Sequence, residues 1–181
     1  MPTIFTHPAV AVGLSPVFDF KTKTKQVLIV AALLTILPDI DVLGFKLGIP
    51  YSHLFGHRGF THSLFFAVFT SMVVAWFISR RSELSFAPVW GYFSICMASH
   101  GILDAFTNGG YGIAFFSPFS NERYFFGVHP IEVSTLSIQR FFAEQGYVVI
   151  LSELKWVWLP AMVFFLIIIL IKNIRKIKVV N

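Results

Sequence analysis

Long apolar runs that end at basic clusters constrain this chain more than any other feature. One of them, LFFAVFTSMVVAWFIS at 64–79, holds no charged residue and is followed by Arg80 and Arg81. Runs of this kind approach the roughly 20 apolar residues that a helix needs to cross a bilayer. Hydrophobic residues make up 56% of the chain and charged residues only 13%, so we predict an integral membrane protein.

The runs predict an all-α bundle of four to five transmembrane segments in a single domain, 1–181. The predicted spans are about 3–18, 26–43, 62–79, 86–106 and 156–171, with an outer loop at 107–154. The first is the weakest, because it contains a histidine and two prolines and could span the membrane or only dip into it. In the second, Pro38 is expected to break or kink the helix beside two aspartates.

Three basic clusters predict the orientation, because cytoplasmic flanks of spans are enriched in Lys and Arg. The clusters are KTKTK (21–25), RR (80–81) and KNIRKIK (172–178), and each abuts an apolar run. They account for the net charge of +5 as a topology signal, so nucleic acid is not an expected partner. The opposite ends of the spans then lie at the extracytoplasmic face of a cell membrane.

Seven polar residues, scattered over about a hundred positions, are expected to meet at that outer face. They are His7, Asp39, Asp41, His57, His62, His100 and Asp104. Ionisable residues in or near a span are costly in hydrocarbon, so each is a candidate for a functional site. His100 and Asp104 are four apart and would share one face of a helix. A set of histidine and aspartate ligands suits zinc, manganese or non-haem iron, and we expect zinc or manganese first. The single Cys96 excludes a multi-cysteine metal site.

More than four candidate ligands allow two or more divalent ions, which clamp a phosphoryl oxygen and activate water for hydrolysis. We expect Arg58 and Asp104 to be catalytic. We expect Arg58 and Arg123 to contact the substrate, because a guanidinium suits phosphate. His53 and His129 are more typical of structural residues at a membrane interface, and their roles and that of Glu132 stay open.

Four motifs, together with an early TH (6–7), resemble the family of predicted inner-membrane metal-dependent hydrolases, some described as LexA-regulated. The motifs are LPDID (37–41), HRGFTHS (57–63), SHGILDAFTNGG (99–110) and FSPFS (116–120). The resemblance runs from His7 to about Pro118, and it implies a bacterial or archaeal membrane protein with a metal-dependent hydrolase site. The order of a first His, an Asp, a central His and a late H-x-x-x-D is also similar to zinc-dependent phospholipase C enzymes, which act on phosphodiesters.

Three functions fit these expectations. The first is a hydrolase that uses a metal-activated water to cleave a phosphoester of a lipid or lipid-linked substrate, with membrane lipids as partners. The second is a metal or proton transporter, since His and Asp also line ion pathways; the sequence shows neither the internal repeat nor the paired broken helices of many transporters. The third is a scaffold with a structural metal. The sequence does not fix the oligomeric state.

Overall fold

Helices account for the regular structure of the chain. The computed structural model describes residues 1–18, 20, 23–134, 139, 141–142 and 146–180, and no β-strand is formed within these ranges. The α-helices are α1 Pro8–Leu14, α2 Thr24–Ile36, α3 Leu43–Lys46, α4 Leu64–Arg80, α5 Phe86–Ala105, α6 Gly146–Glu153 and α7 Leu159–Val180. The all-α prediction is confirmed for the described residues.

Two continuous helical segments are long and apolar enough to cross a membrane. Thr24–Lys46 has 23 residues and Gly146–Ile177 has 32. The first joins α2 to α3 through a 3-10 helix, Leu37–Val42, and the second joins α6 to α7 through a π-helical stretch, Leu154–Trp158. Pro8–Val17 and Leu64–Arg80 are apolar but shorter. A membrane protein is therefore supported, while four to five spans stays a prediction.

The helices differ from the predicted spans in three places, and the membrane boundaries themselves stay predictions. At 3–18 the structure has seven residues of α-helix and three of 3-10 helix, about 15 Å in length, which is half of the hydrocarbon core. At 62–79 the helix begins at Leu64, so His62 lies in the turn before it. Within the predicted outer loop at 107–154, α6 is helical from Gly146. Its Glu153 is buried and accepts a hydrogen bond from Thr6.

The helix α5 lies at the centre of the bundle, packed against α2 and α4. Tyr92, Phe93, Cys96 and Met97 on α5 are buried in the main core. The helix α7 packs on α1 and is otherwise apolar and open, with Leu170 60% exposed. An apolar face of this kind suits contact with lipid. The residues of the site described below lie just after α2, in the turn before α4 and on α5.

Candidate metal centre

Two histidines from separate elements point their ring nitrogens at each other. His62 ends the turn before α4 and His100 lies on α5, and their Nε2 atoms are 3.0 Å apart. Each ring has an acceptor behind it: the Thr35 carbonyl lies 2.7 Å from His100 Nδ1, and Asp41 Oδ2 lies 3.0 Å from His62 Nδ1. Donation from each Nδ1 leaves a lone pair on each Nε2. Two facing lone pairs repel, so this arrangement favours a cation or a proton between them.

Two carboxylates complete the group around these nitrogens. Asp39 Oδ1 lies 3.3 Å from His100 Nε2 and 3.7 Å from His62 Nε2, and Asp104 Oδ2 lies 3.6 Å from His62 Nε2. One ligand atom from each of the four residues falls within 4.8 Å of the others. Ligands of a tetrahedral zinc, each about 2.0–2.2 Å from the ion, would be about 3.3 Å apart, so the observed spacing fits such an ion.

Several buried polar atoms at this centre have no hydrogen-bond partner among the described residues. Both carboxylate oxygens of Asp39 and Oδ1 of Asp104 are in this position. Unpaired buried carboxylate oxygens are costly, and buried charges normally occur with a counter-ion or a metal. The donor set and the unpaired atoms therefore fit a divalent cation such as zinc or manganese; which ion it is stays open.

The carboxylates around His62 raise the pKa of its ring. Burial opposes the charged ring, but the nearby carboxylates of Asp104, Asp39 and Asp41 outweigh it and raise the pKa of His62 well above its usual value. In the cation-free protein a proton therefore stabilises the ring at neutral pH. A cation would have to displace this proton, because histidine ligates metals as the neutral imidazole.

Asp41 belongs to a second group that also falls within 4.8 Å. Its members are Asp39, Asp41, His57 and His62. Both oxygens of Asp41 are already engaged, however: Oδ1 lies 2.7 Å from His57 Nδ1, and Oδ2 accepts from the Arg58 backbone N–H at 3.0 Å and from the Thr61 hydroxyl at 2.7 Å. A carboxylate behind a histidine fixes its tautomer and orientation. The contacts favour this orienting role for Asp41 over that of a metal ligand.

His7 lies at the edge of the centre and outside both groups. It is fully buried, its ring stacks on His100 with centroids 3.8 Å apart, and its Nε2 lies 3.9 Å from Asp104 Oδ1. Burial, followed by the nearby His100, lowers the pKa of His7 to about 3, so the ring is neutral. Neither ring nitrogen has a hydrogen-bond partner among the described residues. His7 thus faces an unpaired oxygen of Asp104 with a free nitrogen of its own.

Arg58 is buried behind Asp104. Its Nε donates to Asp104 Oδ2 at 3.0 Å, one terminal nitrogen donates to the Gly109 carbonyl at 2.6 Å, and the other donates to the Thr107 hydroxyl at 3.0 Å. Its φ of 62° lies in the left-handed region, which is uncommon for a non-glycine residue. All three guanidinium nitrogens have protein acceptors, so the contacts make Arg58 first of all a brace for Asp104.

Arg123 does not reach the metal centre through any of its hydrogen bonds. Its two terminal nitrogens donate to the carbonyls of His57, at 3.0 Å, and Tyr51, at 2.6 Å. Its guanidinium carbon lies 4.7 Å from the centroid of the Tyr51 ring. Arg123 therefore holds the loop that carries His57, a role that the sequence alone did not indicate.

A cavity of about 180 Å³ opens beside the centre. Its walls include Phe45, Tyr51, His57, Arg58 and Gly110. His57 and Arg58 connect this cavity to Asp41 and Asp104, which lie behind them. A group in the cavity would therefore contact His57 and Arg58, which separate it from the four residues of the ligand cluster.

Close backbone approach explains how the turn before α4 is seated. A Cβ added at Gly101 would lie 2.9 Å from the His62 carbonyl oxygen, and one at Gly59 would lie 2.3 Å from the Leu54 carbonyl oxygen. Ser63 caps α4 by accepting a hydrogen bond from the Phe66 N–H at 3.0 Å. The two glycines and the cap bring His62 against His100.

The structure brings all seven predicted ligand residues into one region, but it also adds residues that the sequence did not reveal. Thr35 supplies a carbonyl to His100 and Thr107 supplies a hydroxyl to Arg58. Glu153 is 3% exposed within an apolar helix and contacts the segment before His7. The signal for Glu153 was available, since a lone acid in a long apolar stretch needs a partner.

Comparison with known proteins places this chain among inner-membrane proteins. A family model described as YdjM inner membrane protein matches residues 1–177. The chain is 40% identical over 163 residues to "Inner membrane protein YbcI" of Escherichia coli (strain K12), covering 90% of this chain and 94% of that relative. No solved structure matches the chain. These findings support a location in the inner membrane.

Proposed function

The chain belongs to the YdjM inner membrane protein family, and from that premise we propose that it is a membrane-bound metal-dependent hydrolase. The proposed substrate is a phosphoester of a lipid or lipid-linked compound, reached from the extracytoplasmic face. The proposed cofactor is a divalent cation, zinc or manganese. Asp39, His62, His100 and Asp104 would hold it.

One observation carries the proposal. The Nε2 atoms of His62 and His100 are 3.0 Å apart, each ring has an acceptor at Nδ1, and the Asp39 carboxylate beside them has no hydrogen-bond partner among the described residues. A purely structural polar cluster would pair these atoms with each other or with the backbone. Histidines held from behind by a carbonyl and a carboxylate are typical of metal ligands.

The residues around the centre suit hydrolysis of a phosphoester. A divalent cation held there supplies Lewis acidity and lowers the pKa of water. Arg58 holds Asp104 in place and adds a permanent positive charge at the cavity wall, where phosphate oxygens would approach. His57, oriented by Asp41, also faces this cavity. His7, with the unpaired oxygen of Asp104, is the nearest candidate to support a second cation.

The size of the cavity supports a substrate that is only partly enclosed. Its volume, about 180 Å³, is below the roughly 300–1,000 Å³ of typical small-molecule pockets. A cavity of this size would admit a phosphate and the group next to it. The apolar remainder of a lipid would stay in the membrane, against the exposed apolar faces of the helices.

The proposal is tested by phosphoester turnover of the detergent-purified protein loaded with Zn²⁺ or Mn²⁺. The probes are bis(p-nitrophenyl) phosphate and vesicles of phosphatidylglycerol. We expect metal-dependent turnover of at least one probe by the wild type, a loss of about 100-fold or more in Asp39→Asn, and full activity in the control His129→Ala, whose ring packs on Phe125. Unchanged turnover in Asp39→Asn would refute this assignment, and cation flux into proteoliposomes without turnover would favour a transporter.

A further inference from the structure

Glu153 is a buried carboxylate that the proposed reaction does not use. It lies in Gly146–Ile177, the longest apolar helical segment in the described chain, and is 3% exposed. A carboxylate in such a position is costly unless its oxygens are paired. Its presence therefore calls for a role that repays this cost.

Among the described residues, the hydrogen-bond partners of the Glu153 side chain belong to the segment just before His7. Oε2 accepts from the Thr3 hydroxyl at 2.7 Å and from the Thr6 hydroxyl at 2.8 Å, and Oε1 accepts from the Thr3 backbone N–H. These contacts join parts of the chain that are about 150 residues apart. Thr6 is also the immediate neighbour of His7, so its position limits where the imidazole can lie.

A second side chain of the same helical segment, Trp158, forms a hydrogen bond with Thr6. Trp158 Nε1 donates to Thr6 Oγ1 at 3.0 Å, while the same hydroxyl donates to Glu153. Glu153 and Trp158 are five residues apart, which in an α-helix would separate their directions by about 140°. The π-helical stretch Leu154–Trp158 follows Glu153 and ends at Trp158. Its i to i+5 hydrogen bonds widen the helical turn, so both side chains lie on the same side of the helix. The local winding of the helix thus brings two groups onto Thr6.

We propose that Glu153 is a positioning residue that, through Thr6, holds His7 against the metal centre. His7 itself has no hydrogen bond among the described residues, so its ring is held by packing, including the stack on His100, and by its covalent neighbours rather than by a directed polar contact. We call the contacts of Thr6 with Glu153 and Trp158 the clamp. The clamp restrains the backbone next to His7, although neither Glu153 nor Trp158 is a candidate ligand. The inference rests on the proposed function for the meaning of the centre, but the clamp itself can be tested without metal.

The test combines a metal titration with a measurement on His7 alone. Co²⁺ binding to the detergent-purified full chain is followed by its visible absorption, for wild type, Glu153→Gln, His7→Ala and the double variant. We expect each single variant to bind Co²⁺ about 10- to 100-fold more weakly. Because Glu153 acts through His7, the double variant should bind no more weakly than His7→Ala alone. Additive losses in the double variant would overturn the proposal.

Deuterium exchange at the imidazole C2 of His7, read by peptide mass spectrometry without added metal, provides the independent measurement. We expect at least about threefold faster exchange in Glu153→Gln and in Thr6→Val, and a wild-type rate in Thr6→Ser, which keeps the hydroxyl. The matched control is Glu83→Gln, which removes the same charge from an exposed position. A lower melting temperature with unchanged His7 exchange would reduce Glu153 to a structural role and overturn the proposal. If the wild type binds no Co²⁺ the proposed function fails, while the exchange rates still decide the role of Glu153.

Discussion

At the scale of single residues, Asp39 differs from a structural residue because both its carboxylate oxygens are buried without a hydrogen bond among the described residues. Its side chain is 6% exposed. Replacement by asparagine keeps the shape and removes the buried charge. We expect Asp39→Asn to lower the free energy of unfolding of the metal-free protein by about 1 kcal/mol or more, because the carboxylate stabilises the protonated His62 ring beside it, and to abolish stabilisation by Zn²⁺.

Thermal unfolding in detergent, with and without Zn²⁺, measures both effects. The control is Glu122→Gln, because Glu122 is an exposed acid that interacts with the Tyr124 hydroxyl. An Asp39→Asn protein that is more stable than wild type without metal, or that is stabilised by Zn²⁺ as much as wild type, would contradict the role assigned to this carboxylate.

The raised pKa of His62 predicts opposite pH trends for stability and for metal binding. A proton on His62 stabilises the metal-free fold fully below the unfolded pKa of about 6.5, and this stabilisation is lost as pH rises through the raised folded pKa. Over the same range a metal meets less competition from the proton. We expect Co²⁺ affinity to rise above pH 6.5, with net proton release detected by calorimetry in two buffers of different ionisation enthalpy. A Co²⁺ affinity that does not change above pH 6.5 would show that the metal does not compete with a proton on His62.

The residue types and their spacing predicted which side chains gather, but not how they divide the work. All of His7, Asp39, Asp41, His57, His62, His100 and Asp104 come together. Asp41 was predicted as a ligand, and both its oxygens also accept hydrogen bonds or face His57; Arg58 was predicted to hold substrate, and it also braces Asp104. These assignments depend on which donors reach which oxygen in three dimensions, and a one-dimensional spacing does not specify that.

At the scale of elements, the contact between α5 and the turn before α4 decides the geometry of the centre. Gly101 follows His100 on α5, and a Cβ there would lie 2.9 Å from the His62 carbonyl oxygen. We expect Gly101→Ala to push the turn away from α5 and to weaken Co²⁺ binding about tenfold. The same titration applies to Gly91→Ala, a control on the same helix where a Cβ meets nothing within 4 Å.

The Gly91→Ala control should bind Co²⁺ as wild type does, and it should be equally or slightly more stable, by up to about 1 kcal/mol, since alanine favours helix. Equal Co²⁺ affinity in the two glycine variants would show that the close approach at Gly101 does not matter for the centre.

Element boundaries show where the sequence was informative and where it was not. The break at Pro38 is confirmed, because the α-helix ends at Ile36 and a 3-10 helix follows. The helix from Gly146 was not among the predictions, and the partners of its Glu153, Thr3 and Thr6, are about 150 residues away in the sequence. Local chemistry therefore predicted the break, while contacts between distant parts of the chain do not follow from local chemistry.

At the scale of the whole molecule, the basic clusters predict how the chain is oriented in the membrane. The candidate metal centre then lies at the extracytoplasmic face. The loop with the exposed Phe119 should lie outside the cell membrane, and the exposed Glu83 between α4 and α5 should lie in the cytoplasm. We expect an impermeant maleimide to label Phe119→Cys in intact cells, and to label Glu83→Cys only after permeabilisation. Cys96 is buried and gives a low background. The reverse pattern of labelling would place the centre on the cytoplasmic side.

The central claim is that His62 and His100, with Asp39 and Asp104, hold a divalent cation. The most direct test is the metal content of the detergent-purified protein by mass spectrometry. The wild type is compared with the double variant His62→Ala, His100→Ala and with the control His53→Ala, His129→Ala, which changes the two histidines that lie outside the centre. We predict about one or more equivalents of zinc or manganese in the wild type and the control, and almost none in the first variant. Equal metal content in all three proteins, or none in the wild type after incubation with both metals, would contradict the claim.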